Sequence, residues 1–262
     1  MANVSDFLEV LEGFAPSFLK IKGDNVGLLV GDPAREVSRV MLTLDITPAV
    51  AQAAAEAGIN LIVAHHPVIF QPLSSVTPAD YNGAAVMTLV ENRIAAICMH
   101  TNLDAATGGV NDTLARVLDL QNIELVEDGG AGLLRRGLLP KEMAPDVFAA
   151  YVGAKLHCRG VRYVAGSRPV RMVTVCGGAG GSHDDAMFAL ASGCDAYVTA
   201  EVKYPVTLAL SFAGLTVIDA GHFHTENPVL ESLRHLLARQ FPEVAFSIST
   251  HDDPMKFLTF ES

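Results

Sequence analysis

The sequence predicts an α/β fold, and two observations carry that expectation. Apolar strand-like runs alternate with stretches of helical periodicity along most of the chain. Three of those runs also end on histidine: LIVAHHP (Leu61 to Pro67), IAAICMHTNLD (Ile94 to Asp104) and TVIDAGHFHTE (Thr216 to Glu226). Ligands of open α/β sheets collect outside the carboxyl ends of the strands, so these imidazoles stand where a site is expected.

The elements follow in order. Phe7, Leu8, Leu11 and Phe14 share one face of a helix over Val4 to Phe14. Gly23 to Asp32 reads as a turn and the strand VGLLVG, and Val37 to Leu44 as a strand ending at Asp45. Thr47 caps the next helix, with Pro48 at its first position and Gly58 past its end. Leu61 to Ala64 is a strand, Ala84 to Asn92 a helix, Ile94 to Met99 a strand and Val110 to Leu118 a helix. DGGAG (Asp128 to Gly132) marks a boundary or loop. Asp146 to Leu156 is a helix, Val170 to Cys176 a strand, Gly177 to Ser182 a turn, Asp184 to Ser192 a helix stopped by Gly193, and Ala196 to Thr199 a strand. A helix over Pro228 to Gln240 and strands at Val244 to Ser249 and Phe257 to Phe260 complete the chain. AEAGINLIVAHH and LASGCDAYVTAE share a pattern of helix end, glycine, Asn or Asp, and apolar strand, which suggests two related α/β units.

The bulk numbers narrow the function. At 262 residues, half of them hydrophobic, the chain has material for one large domain or two small ones. Only 18% of residues are charged, against roughly 25% in average proteins, so part of the surface is expected to be covered by other subunits. The formal charge of −11 argues against a nucleic-acid backbone binder. The scatter of Lys155, Arg159, Arg162, Arg168 and Arg171 reads as a solvated face, with guidance of an anionic substrate as the rival. Cys98, Cys158, Cys176 and Cys194 form no CxxC pair, so reduced and mostly buried thiols are expected. No stretch reads as a secretory signal or a membrane span, and a cytoplasmic location is expected.

A single histidine at a strand end is most often structural. Here the pattern recurs and carboxylates accompany it: Asp104 lies four residues after His100, and Glu226 four after His222. Residues four apart are neighbours on a helical turn. Nitrogen and oxygen donors of this kind suit Zn, Fe, Mn, Co or Ni, and no cysteine joins them to make a thiolate site. His65 and His66 point opposite ways in extended backbone; they serve one site where the chain turns at Pro67, or each binds a different ion of a pair. Asp104 is the favoured ligand of its motif, with His100 a ligand, a neighbour of the ligands or a structural residue. His224 is either a proton-transfer group or polar surface. Asp45 orients a ligand or caps the following helix, the cap being favoured. Five strong donors exceed the roughly three that one open catalytic ion takes from protein. A pair of ions sharing Glu226 is the economical solution. CGGAGGSHDD resembles an anion-binding loop but lacks the P-loop ending, and tight helix-on-sheet packing is the favoured reading of Gly177 to Ser182.

DNVGLLVGDP, LTLDIT, LIVAHHPVIF, HTNLDAATGGVND, CGGAGG, DAYVTAEVKY and IDAGHFHTE occur in the order seen in the NIF-three-like family, which the chain resembles over nearly its whole length. Bacterial members include YbgI-like proteins, often labelled GTP cyclohydrolase I type-two homologues. The resemblance implies two interlinked α/β domains with mixed sheets flanked by helices and a metal site between them. The expected limits are 1–127 plus 220–262 for the metal-binding domain and 128–219 for the second. It also implies a ring-shaped homohexamer and a dinuclear centre held by His65, His66, Asp104, His222 and Glu226. The chain departs from the family at Ala200-Glu201, where relatives carry Gly-Asp, and at Pro205, where relatives often carry histidine.

Two functions are consistent with these residues. The first is a metal-dependent hydrolase acting on a nucleotide or other phosphorylated small molecule, with His100 or His224 transferring a proton. The second is a non-catalytic metal-binding or protein-interaction ring.

Overall fold

The first half of the chain builds a parallel βαβαβ unit in the computed structural model, which describes residues 2–258. Helix α1 (Val4–Phe14) starts at Asn3, whose side chain and that of Asp6 cap each other's backbone amides. Strands β1 (Gly27–Val30) and β2 (Arg39–Thr43) follow, then α2 (Pro48–Glu56), β3 (Leu61–Ala64), α3 (Tyr81–Glu91), β4 (Ala95–Cys98) and the short α4 (Thr101–Ala105). Thr47 caps α2 by accepting from Val50 N at 3.0 Å. Asp80 caps α3 by accepting from Gly83 N, which starts that helix three residues before its apolar pattern begins. Strands β2, β3 and β4 run parallel, and β1 pairs antiparallel with β4. Every residue of LIVA and AAIC is buried, as strands covered on both faces require.

The second half repeats that connectivity. Helix α5 (Val110–Val117) leads to β5 (Gln121–Leu125), β6 (Arg135–Met143), α6 (Pro145–Lys155) and β7 (Arg162–Val164). Then come β8 (Val170–Val175), α7 (His183–Ala191), β9 (Ala196–Thr199), α8 (Tyr204–Phe212), β10 (Thr216–Asp219) and the short α9 (His222–Glu226). The sheet order is β5-β6-β8-β9-β10-β7, with β8, β9 and β10 parallel and the other pairs antiparallel. Alternation sorts the side chains. Val198 and Ile218 pack with α5 and α6 residues Leu114, Phe148 and Val152. Tyr197 and Val217 pack with α7 and α8 residues Ala186, Ala189, Val206 and Leu210. Gly58 (φ +64) and Gly193 (φ +75) occupy the same place in the two repeats, the left-handed residue between a helix and its following strand.

The chain then returns through α10 (Val229–Gln240) and β11 (Ala245–Ile248), and β11 joins the first sheet in parallel with β2, giving the order β1-β4-β3-β2-β11. Phe7 of α1 stacks on Phe241 just past α10, at 4.0 Å between centroids.

Contacts divide the chain into two compact units. One runs through Thr107 and includes Leu230–His251; the other is Gly108–Val229 with the residues from Asp252 on. Residues 108–127, 220–229 and those from Asp252 on, expected with the metal-binding domain, thus group with the second unit. DGGAG is a loop inside that unit joining β5 to β6, where Asp128 accepts from the amides of Gly132 and Leu133. Strands β5, β6 and β7 and helix α8 do not emerge from the sequence pattern. QNIEL and RRGLLPKEM carry charges because these strands are largely exposed at one face or end. Of the expected strand at Phe257 to Phe260, residues 257 and 258 carry no strand, and 259–260 lie outside the described residues. The basic scatter is paired: Lys155 with Asp119, Arg159 with Asp252, Arg162 with Asp219 and Arg168 with Asp195. No helix among the described residues is long and apolar enough to cross a membrane.

None of the four cysteines is in a disulfide, and Cys98, Cys176 and Cys194 are buried. Burial, with the Asp24 charge adding to it, pushes the Cys98 thiol up to about 12. Iodoacetamide at pH 8 is therefore expected to leave Cys98 unmodified in the folded protein and to label it only in denaturant, as read by peptide mass spectrometry.

Candidate metal centre

In each unit the donors sit just beyond the carboxyl ends of the three parallel strands. In the first unit, β3 ends at Ala64 and the next two residues are His65 and His66. Their amides still bond to Thr43 O and Leu44 O, so the backbone remains tied to the neighbouring strand as the side chains emerge. The two rings do not diverge as they would in extended backbone. Their centroids lie 4.8 Å apart, and His100, after β4, lies 5.3 Å from His65 and 5.6 Å from His66. Ring nitrogens of the three histidines come within 4.8 Å of one another, a group that could hold a metal ion. Asp104 stands on α4, one turn after His100, with Oδ1 3.5 Å from His65 Nε2.

Each of these rings is anchored through Nδ1. His65 Nδ1 lies 2.8 Å from the carbonyl oxygen of Met99, His66 Nδ1 2.8 Å from Asp45 Oδ1, and His100 Nδ1 2.8 Å from Asp24 Oδ1. A carbonyl or ionised carboxylate only accepts, so Nδ1 carries a proton and, in the neutral ring, Nε2 presents a lone pair. Asp45 thus orients His66; the cap role favoured for it from sequence belongs to Thr47, which directly precedes the helix and accepts from its first turn. His251 Nε2 also lies 3.6 Å from Asp45 Oδ2, a neighbour that no sequence motif marks.

Asp24 is the other residue the sequence reading passed over. It accepts from His100 Nδ1, Asn25 N, and both the amide and hydroxyl of Thr101. Burial alone would raise its pKa, but the hydrogen bonds from His100 and Thr101 outweigh that and hold the carboxyl well below the usual range. Its position inside DNVGLLVGDP, directly before a strand, was the available signal.

The second unit mirrors this plan. Short helix α9 follows β10 and carries His222 and Glu226 one turn apart, with His222 Nε2 3.0 Å from Glu226 Oε2. His222 Nδ1 lies 2.7 Å from Glu201 Oε1. Glu201 follows β9 and holds a left-handed backbone (φ +56), unusual for a non-glycine residue and found where neighbours dictate the position of a side chain. This is one of the two positions where the chain departs from the family pattern, and the glutamate takes up contact with a site histidine. His224 points its ring edge-on to Phe223 and makes no hydrogen bond among the described residues.

The glycine-rich turn after β8 is a packing device. Gly177 N donates to Asn111 Oδ1 and Gly178 N to Thr225 Oγ1, so these amides are engaged and form no anion cradle. A Cβ on Gly178 would sit 2.0 Å from Glu226 Oε1 and 3.1 Å from His222 Nε2, and one on Gly181 2.5 Å from the Glu201 backbone. Only glycine lets the turn approach the carboxylate and its histidine this closely. Gly178 also has φ +64, which costs an L-residue about 1 kcal/mol. Gly178→Ala is accordingly expected to displace the Glu226 carboxylate and lower bound metal at least tenfold, while thermal unfolding shows only a small loss of stability; metal content and melting curves read the two effects separately.

Residues 2–254 match the Duf34/NIF3 (NGG1p interacting factor 3) family. Among individual relatives, a "GTP cyclohydrolase 1 type 2 homolog" of Clostridium perfringens is 30% identical over 98% of this chain and 100% of its own length. A protein of the same description from Lactococcus lactis is 36% identical over 84% of this chain and 86% of its own. Among solved structures, Staphylococcus aureus protein SA1388 superposes with a TM-score of 0.91 at 28% identity, covering 98% of this chain and 99% of that one.

Proposed function

The chain belongs to the Duf34/NIF3 (NGG1p interacting factor 3) family, and from that premise we propose that it binds two divalent cations and uses them as a hydrolase on a nucleotide or other phosphorylated small molecule. The proposed ligands are His65, His66 and Asp104 of the first unit and His222 and Glu226 of the second, with Glu226 shared by both ions.

The observation that carries this reading is the way imidazole and carboxylate face each other in each unit. In the neutral ring with its proton on Nδ1, the His65 Nε2 lone pair is turned towards Asp104 Oδ1 at 3.5 Å. His222 Nε2 faces Glu226 Oε2 at 3.0 Å in the same way. Two acceptors turned towards each other repel unless a cation or a further proton lies between them. His65 is fully buried and Glu226 is 4% exposed, where such repulsion is least screened. The donor set of neutral imidazole and carboxylate fits Zn, Fe, Mn, Co or Ni. Nδ1 anchors of this kind are the usual support of metal-bound histidine.

Ions bound there would supply Lewis acidity and water made nucleophilic near neutral pH. The protein's own part is to hold the donors rigid and to move protons. His100 presents Nε2 with its ring fixed by Asp24, and His224 stands beside His222 on α9, so these two are the proposed proton-transfer groups. The names of the two relatives support a nucleotide as the substrate class.

Metal analysis is expected to find about two ions per chain, and Glu226→Ala to lose most of them. Turnover of a nucleotide and phosphoester panel should vanish with the metal. Retention of turnover by a metal-free Glu226→Ala protein would remove the hydrolase mechanism, and full metal occupancy without turnover would favour the non-catalytic ring.

We also propose that the protein is a homohexamer. Tyr204, Leu208 and Phe212 fall at successive four-residue steps on α8 and are 74%, 54% and 96% exposed, an apolar stripe suited to contact with another subunit. Light scattering should return six times the chain mass; a monomer mass would overturn this assembly.

A further inference from the structure

We propose that Phe70 is a specificity-determining residue beside the donors of the first unit, a stacking platform for the base of a nucleoside phosphate whose phosphate meets the ions. This deepens the reading above and rests on it.

A single exposed phenylalanine needs no explanation; this one is set apart by how it is held and where it stands. It lies on the loop 67–80, which leaves β3 directly after His65 and His66. Its neighbours are fixed. Val68 is buried, Ile69 and Leu73 pack on the core of the first unit, and Asn25 Nδ2 donates to Ile69 O at 2.5 Å. The far end of the loop is tied as well, because Asp80 caps α3. Phe70 is nevertheless 47% exposed. The loop therefore presents the ring at a set place, as binding residues on anchored loops are presented.

The one ring contact of Phe70 among the described residues is His100, which it meets edge-on at 5.9 Å with the planes 86° apart. His100 in turn lies 5.3 Å from His65 and 5.6 Å from His66. Phe70 thus stands one ring beyond the donors, where the rest of a ligand held by its phosphate would extend. It has no metal-binding atom and no proton to lose, so substitution separates its part from metal binding. Chemistry then selects the ligand. Divalent ions take the phosphoryl oxygens. A phenyl ring offers nothing to a phosphate or to sugar hydroxyls, which are better served by water. It does cover the flat face of a base and stack on it, a contact open to every base because each has a π-face. Phe70 therefore sorts nucleoside phosphates from phosphates that carry a sugar alone, and does so without choosing among bases.

AMP, GMP and ribose 5-phosphate are the probes: three phosphate monoesters, two with a base and one without. Their affinities are measured by calorimetry on the full-length, metal-loaded wild type and on Phe70→Ala, with metal content by mass spectrometry and assembly by light scattering. The wild type is expected to bind both nucleotides about five- to hundredfold more tightly than ribose 5-phosphate, the range for one base on one aromatic ring. Phe70→Ala should bring that ratio close to one and leave ribose 5-phosphate affinity and metal content unchanged. The chain contains no tryptophan, so Phe70→Trp supplies a single indole whose fluorescence AMP and GMP should quench and ribose 5-phosphate should not. An unchanged ratio in Phe70→Ala overturns the proposal. Loss of metal in that variant does so too, since the ring would then support the donors, and so does a change of its mass in solution, since the ring would then be a subunit contact. A wild type that holds its ions and binds ribose 5-phosphate as tightly as the nucleotides sinks this proposal alone. A wild type that takes up no metal sinks the reading beneath it as well.

Discussion

Four imidazoles in this protein give their Nδ1 proton to an oxygen of the chain, and the character of the site follows from that constraint. The acceptors are Met99 O for His65, Asp45 for His66, Asp24 for His100 and Glu201 for His222. Each bond settles the tautomer, locks the ring and turns Nε2 outward. Three of the four acceptors are carboxylates, which place negative charge behind the rings and favour a cation in front of them. Asp104 and Glu226 add more of the same sign beside His65 and His222.

The fold supplies these anchors through one construction used twice. In the first unit, β2, β3 and β4 are parallel and connected by α2 and α3; in the second, β8, β9 and β10 are parallel and connected by α7 and α8. The middle strand releases a site residue directly, His65 and His66 in one case and Glu201 in the other. The next strand runs into a helix of a single turn, α4 or α9, which carries a carboxylate near its end, Asp104 or Glu226. A helix this short has little stability of its own and is held by what surrounds it. In the second unit that support includes the glycine turn, whose Gly178 amide bonds Thr225 and whose missing Cβ leaves room for Glu226.

Much of this was legible in the chain itself. The parallel strands announced themselves because strands buried on both faces must be continuously apolar, as LIVA and AAIC are. The cap at Thr47 is also local, a side chain accepting from an amide three residues on. What escaped notice had the opposite character. Strands β5 and β6 are exposed enough to carry Glu124, Arg136, Lys141 and Glu142, so no apolar run marks them. Asp24 and Glu201 look like surface carboxylates, because the histidines they hold are 76 and 21 positions away.

The sequence by itself determined the α/β class, the parallel strands of both repeats with helices α2 and α7, and the residue types able to hold a cation, since all of these depend on periodicity and local chemistry that neighbouring residues share. Only the tertiary structure decided which carboxylate anchors which imidazole, that Asp45 serves His66, and that the glycine turn makes room for Glu226. Those outcomes depend on contacts among side chains remote along the chain, and spacing in sequence carries no record of which of them meet.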